Sequence, residues 1–489
     1  LTVRPDPTTA SNSRERLVLL LSCLSAFAVI LDGTIVSVAL PDIDSDLKFS
    51  AATLPWVVNA YTLAFAGLLL LGGRCADAFG VKFTLATGLA LFGLAGLAGG
   101  VASTPAMLLA ARAAQGIGGA LMLPTTLAAL AQTFGEGPRR ASAMATWSMV
   151  GSSGAIAGTV IGGLLTQFLG WRWVFIINVP ITVAAGLLAA FALHEQDTVR
   201  SRPRLDIMGA LLVTTALSAI VYAVMDSSER GWGDPIIWGS ATGGITLLGL
   251  FIAHQYHVAS QPLVPLTIFR SRSLSSANTT VFALSLAFLS TPVLLSLYVQ
   301  TVNHFSPLEA SFTLLPSALA LMVGGRIAGK VTVRLGTRRA SVLGIAIGTL
   351  GFTLLAFSLE EQGPLLLKVV LPTILIGFGV GSAFTPLTMA ATRGVEPAHR
   401  GVAAGLFNAT RQTSGAVGLA VTSAVAAAVT ASAARSAGTA TPTMTSLAHG
   451  YTVAFGVAAC CSLAAGVMAA LTMPHDSPVR TESNEYVSS

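Results

Sequence analysis

Charge is what this chain has least of. Only 10% of its 489 residues are Asp, Glu, Lys or Arg, against about 25% in soluble domains. Too few charges are present to clothe several soluble domains in a water-facing surface. Cysteine is also scarce: Cys23, Cys75, Cys460 and Cys461 sit in or beside apolar runs with no metal-ligand spacing, so neither a disulfide framework nor a zinc site is indicated. The seven histidines fall in loops, in the tail or near helix ends, which leaves no buried acid-base cluster for a membrane enzyme. The stretch Gly324-Gly-Arg-Ile-Ala-Gly-Lys330-Val331 comes near a phosphate loop, but Val331 replaces the needed Ser or Thr and no strand precedes it. ATP as an energy source is unsupported.

Apolar residues are what is there. They make up 53% of the chain, with a mean hydropathy of +0.75. Fourteen apolar runs, from 17–40 to 450–472, are near or above the length that spans a bilayer as a helix, so the expected fold is an all-α polytopic membrane protein. The run from Leu17 has Asp6 and Glu15 in its flank and continues too far for a signal peptide, so it reads as a retained first helix. Fourteen spans place both termini on one side. With that side cytoplasmic, the inner loops hold Arg74, Lys82, Arg139, Arg140, Arg200, Arg202, Arg204, Arg270, Arg272, Lys330, Arg334, Arg338, Arg339, Arg393 and Arg400; the outer loops hold only Lys48, Arg172, Arg230, Lys368 and Arg435. The net charge of +6 is then a topology signal and needs no nucleic-acid partner.

Within this background, Gly151, Gly154, Gly158 and Gly162 recur every three or four residues in the run 141–169, which leads into Trp171-Arg-Trp-Val-Phe-Ile-Ile-Asn-Val-Pro180. Small residues at that spacing let another backbone approach closely in lipid. Two readings stand: static packing, or the close helix contact of a transporter. Internal repetition adds to the second. Gly73-Arg-Cys-Ala-Asp77-Ala-Phe-Gly80-Val-Lys82 is echoed 256 residues on by Gly329-Lys-Val-Thr-Val-Arg334-Leu-Gly336-Thr-Arg338, and Glu136 to Ala143 is echoed 260 residues on by Glu396 to Ala403. Six spans occupy about 195 residues at the helical lengths of a bilayer, so the offset leaves room for two extra spans. The organisation expected is a cytoplasmic segment 1–16, a six-helix bundle 17–193, a two-helix insert with linkers 194–273, a second six-helix bundle 274–472 and a cytoplasmic tail 473–489. The stretch 431–448 reads as a flexible outer loop.

Several motifs together resemble the major facilitator superfamily, and within it the fourteen-helix drug:proton antiporters. Leu31-Asp32-Gly-Thr-Ile-Val-Ser-Val-Ala-Leu-Pro41 is similar to that branch's first-helix motif, and Trp56-Val-Val-Asn-Ala-Tyr61 to its second-helix start. Gly73, Asp77, Gly80 and Lys82 match the motif between helices 2 and 3, and Arg112-Ala-Ala-Gln115-Gly116-Ile-Gly118 resembles the fourth-helix motif. Gly154, Gly158, Gly162 and Gly163 resemble the antiporter motif of helix 5, with Arg411-Gln412 completing the likeness in helix 13. Departures are Thr159 for the usual Pro, Cys75 for Leu and Ala78 for a basic residue. The resemblance implies the major facilitator fold, alternating access, protons as coupling ion with no other cofactor, and export of a lipophilic drug or antibiotic across the cytoplasmic membrane by a monomer. A small-metabolite transporter of the same fold, importing or exporting, is the alternative.

Asp32 is the one acid placed deep inside a span, and an intramembrane carboxylate is costly. With the first helix leaving the membrane near Pro41, Asp32 lies about 13 Å from the outer end, and Arg112 comes out at about 10 Å on the same scale. A structural ion pair and a proton-coupling carboxylate both fit that shared depth. Asp77 fits either a simple turn or cap or, by the resemblance, a conformational latch with Arg334 and Arg338. Trp56, Tyr61 and Trp147 are candidates for the substrate cavity or ordinary core aromatics. Arg411 is a cavity or coupling candidate near the midplane, with Gln412 beside it. Apart from Glu309 near its outer end helix 10 carries no acid, so neutral or singly charged substrates are expected.

Overall fold

The computed structural model describes residues 7–193, 205–359, 363–393, 395–396, 399–439 and 441–474. Residues 1–6, the basic linker residues Arg200, Arg202 and Arg204, and the tail from 475 lie outside the described residues.

Among the described residues, thirteen helices are long and apolar enough to cross a membrane. They are α1 (Arg14–Leu47), α2 (Trp56–Phe79), α3 (Val81–Gly100), α4 (Pro105–Thr133), α5 (Pro138–Leu169), α6 (Trp173–Ala192), α7 (Ile207–Arg230), α8 (Pro235–His257), α9 (Arg272–Thr301), a long helix (Pro307–Ser358) that supplies α10 and α11, α12 (Leu366–Thr392), α13 (Arg400–Ser436) and α14 (Met444–Thr472). The long helix breaks at Gly336, where φ is 80° and ψ 165°, into α10 (307–335) and α11 (337–358), so fourteen spans result. Gly80, between α2 and α3, has φ 86° and ψ 153°. A side chain would be strained at either position. The repeated stretch therefore makes the same sharp backbone turn in both halves.

Three sequence boundaries move. The first helix does not end near Pro41; it continues to Leu47, ending before Lys48 with φ 55°. Buried Ile43 and Leu47 hold this extra stretch in the core, and a proline inside a membrane helix is tolerated when neighbours satisfy the freed backbone groups. Asp32 is thus fifteen residues, or about 22 Å, from the end of its helix. The expected outer loop 431–448 shrinks, because α13 runs to Ser436 and α14 starts at Met444 behind a Thr443/Ser446 capping box; alanine is the best helix former, and it dominates this stretch. The linker after α8 is not a free hydrophilic strand. Its Leu263, Val264 and Ile268 are buried with Ala210, Leu274 and Ala403.

Call the face holding the start of α1 and the end of α14 the terminus face, and the opposite one the distal face. Tyr61, Phe65, Leu85, Phe92 and Met122 centre the core of the first half; Leu284, Tyr298, Phe352, Ile376 and Phe455 centre that of the second. A third cluster joins Leu31, Ile35 and Phe175 to Val293 and Leu419 across the halves. α7 packs on α2 and α13, while α8 rests chiefly on α7. Only 11% of the most apolar window of α8 is buried, so its surface suits lipid contact.

The halves meet towards the distal face. Gln300 of α9 donates to the Val38 carbonyl at 3.0 Å, and Gly163 of α5 abuts Ser311 and the Pro307 carbonyl at the start of α10. Further towards the terminus face, Ser148, Met149 and Ser152 of α5 and Met322, Val323 and Arg326 of α10 are exposed, so that contact does not continue. There α2 and α13 still touch, through Leu70 and Gly405.

Candidate functional site

Four helices of the first half bring polar groups to one dry point. Asp32 and Arg112 are 0% and 1% exposed, with Arg112 Nη1 2.6 Å from Asp32 Oδ2. Asp32 Oδ1 accepts from Asn178 Nδ2 at 2.7 Å and from Gln115 Nε2 at 3.2 Å. Arg112 also donates to Gln115 Oε1 and to the Val57 carbonyl, each at 2.8 Å. Its guanidinium lies 4.5 Å over the Tyr61 ring and 5.7 Å from that of Phe175, while Tyr61 OH donates to the Val29 carbonyl at 3.0 Å. A buried charge pair is tolerable only when the remaining polar valences are met. Here a carboxylate has three donors and a guanidinium two further acceptors.

The sequence brought Asp32 and Arg112 forward but missed Gln115 and Asn178 as their partners. Both lie within stretches already singled out, and the signal was an amide in an otherwise apolar run. The same run begins with Trp171 and Arg172, which reach Asp46 Oδ2 at 3.0 and 2.5 Å and tie the start of α6 to the end of α1.

The glycines of α5 lie directly behind Asp32. A Cβ at Gly154 would sit 2.9 Å from the Phe27 carbonyl, one at Gly158 2.7 Å from that of Leu31, and one at Gly162 2.7 Å from that of Ile35. Gly163 does not share this face. It turns to α10, where a Cβ would meet Ser311 and the Pro307 carbonyl. Thr159, in place of proline, bonds back to the Ala155 carbonyl at 3.1 Å, and α5 continues unbroken from Pro138 to Leu169.

The other sequence candidates disperse. Trp147 donates to Thr126 Oγ1 at 3.1 Å and packs on the core of its own half. Trp56 packs beside Leu63, Met225, Ala416 and Ala420, between α2, α7 and α13. Arg411 and Gln412 are half-buried on α13, with the Arg411 guanidinium 5.3 Å over the Phe384 ring. Asp77 is exposed and has no ion-pair partner among the described residues. Arg334 is likewise exposed, and Arg338 donates to the Ala470 carbonyl; no latch between Asp77 and these arginines is closed in this conformation. Gly73 faces Pro124 and Lys82 is half-buried. The glycine-rich stretch Gly324–Val331 is helical, with Gly324 against the Phe378 carbonyl.

One polar cluster had no sequence signal. Arg74, inside the repeated stretch, donates to the carbonyls of Gln261 and Pro262. Nearby, Asp206 caps α7 at Gly209 N (2.9 Å) and accepts from His254 Nε2 at 2.8 Å and Gln255 Nε2 at 2.6 Å. Burial pushes its carboxyl up, but the bonds from Gln255, Gly209 and His254 outweigh this and hold it below the usual carboxylate range. The two-helix insert is clasped to the first half at the terminus face.

Residues 22–419 match the Major Facilitator Superfamily. The chain is 38% identical over 418 residues to the cephamycin export protein of Amycolatopsis lactamdurans, covering 84% of this chain and 85% of that one. It is 36% identical over 444 residues to the puromycin resistance protein of Streptomyces alboniger, covering 90% and 88%. In fold it is similar to a bacterial homolog of the human lysosomal transporter Spinster, inward-facing and unoccupied, with a TM-score of 0.70, 16% identity and coverage of 94% and 97%. With fourteen helical spans among the described residues, these relatives and this fold, the chain belongs to the Major Facilitator Superfamily.

Proposed function

We propose that this protein exports a lipophilic, antibiotic-type small molecule across the cytoplasmic membrane in exchange for protons, with both termini in the cytoplasm. The observation that carries the reading is the buried cluster of Asp32, Arg112, Gln115 and Asn178, in a chain related along most of its length to proteins of cephamycin export and puromycin resistance. The basic residues of the short loops supply the orientation. Protonation of Asp32 would remove the charge that binds α1 to α4 and α6. Because α5 is seated on the α1 backbone through Gly154, Gly158 and Gly162, a shift of α1 carries α5 with it, and α5 meets the second half at Gly163. This links a proton site to the contact that alternating access must open and close.

Purified protein in liposomes with an imposed proton gradient tests the direction. Export predicts substrate movement opposite to proton flow. Movement with the protons assigns the chain to import, and chemical alteration of the compound assigns it to catalysis.

A further inference from the structure

Arg411 is a half-buried cation with no counter-charge among the described residues. Its Nε is shielded and has no hydrogen-bond partner, and no acid pairs with it among the described residues. The guanidinium lies 5.3 Å over the Phe384 ring of α12, which meets the Phe288 ring of α9 edge-on at 5.9 Å. From 402 to 427 no residue of α13 is exposed, and the Arg411 guanidinium lies against Phe384 of the neighbouring α12. Asp32 cannot serve as its partner, since its oxygens already accept from Arg112, Gln115 and Asn178.

An unpaired charge in this setting is expensive and marks a functional position. Among the described residues no carboxylate pairs with it, which leaves the balancing charge to a ligand. We propose that Arg411, with Phe384 and Phe288 behind it, seats the carboxylate of an aromatic, lipophilic monoanion. A guanidinium binds a carboxylate through two parallel hydrogen bonds, and the rings offer a face and an edge to the substrate's aromatic body. The inference rests on the export reading and narrows its substrate class.

The test uses naphthalene-2-carboxylate, biphenyl-4-carboxylate and anthracene-9-carboxylate, each beside its uncharged primary amide. Binding to the full-length protein is followed in detergent by intrinsic tryptophan fluorescence, and transport in liposomes under a proton gradient. Each acid should bind the wild type at least tenfold more tightly than its amide. Arg411→Gln should abolish the preference, with folding checked by circular dichroism. Arg411→Lys should cut it at least threefold, because an ammonium lacks the two-pronged geometry. Equal affinities in the wild type, no binding of any acid, or an undiminished preference in either variant overturns the assignment. If none of the six compounds moves outward against the proton gradient, the export reading fails, whereas the binding ratio judges the Arg411 seat separately.

Discussion

A Cβ on Gly158 would lie 2.7 Å from the carbonyl oxygen of Leu31, the residue that precedes Asp32. Backbone cannot yield there as a flexible side chain can, so any larger residue must push α5 away from α1. Gly158→Leu should reach the membrane in normal amount and transport nothing. Leu164→Ala, at a position 41% exposed, should transport as the wild type does. Normal export by Gly158→Leu would show that the close contact is dispensable.

The ion pair makes a stability prediction. Removing one member of a buried pair leaves the other uncompensated, at a cost of about 3–5 kcal/mol. Arg112→Ala should therefore lower the melting temperature in detergent far more than Asn178→Ala, which removes one hydrogen bond to Asp32. A smaller drop for Arg112→Ala than for Asn178→Ala would contradict the ranking.

Asp77 is exposed and has no ion-pair partner among the described residues, so the proposed latch would close only in another conformation. Asp77→Asn should leave the melting temperature and substrate affinity near wild type while slowing turnover, because it shifts the balance between states. Weakened binding at unchanged turnover would assign the residue to the cavity instead.

Orientation can be read by thiol labelling in a cysteine-free background. Cysteines at the exposed positions Gly233 and Ser436 on the distal face should react with an impermeant reagent in intact cells, and one at exposed Glu136 should not. Labelling at 136 alone would invert the topology.

How much was legible in advance varied with the physics of each residue. Charge made Asp32 and Arg112 conspicuous, whereas the common depth read from helical rise used a helix end at Pro41 that the structure moves to Leu47. Gln115 and Asn178 were not conspicuous, since an amide in an apolar run looks like any tolerated polar residue until its partners are known. Adjacent positions on a helix are about 100° apart, so Gly162 and Gly163 could not share a face, and they contact different halves. The Gly80 and Gly336 turns were visible as a repeat because a positive φ needs glycine. The Arg74 clasp was invisible, because its acceptors are backbone carbonyls that any residue supplies. Pro41 misled, since a proline ends a soluble helix more readily than one held in lipid.

The central claim is that Asp32 carries the exchanged proton. Substrate-induced proton release in proteoliposomes, measured with a pH-sensitive dye, addresses it most directly. The wild type should release protons when substrate is added, Asp32→Glu should release fewer, and Asp32→Asn should release none while still inserting and folding. Undiminished release from Asp32→Asn would contradict the account and move the coupling to another acid, with Asp226 and Glu229 at the distal end of α7 as the next to be replaced.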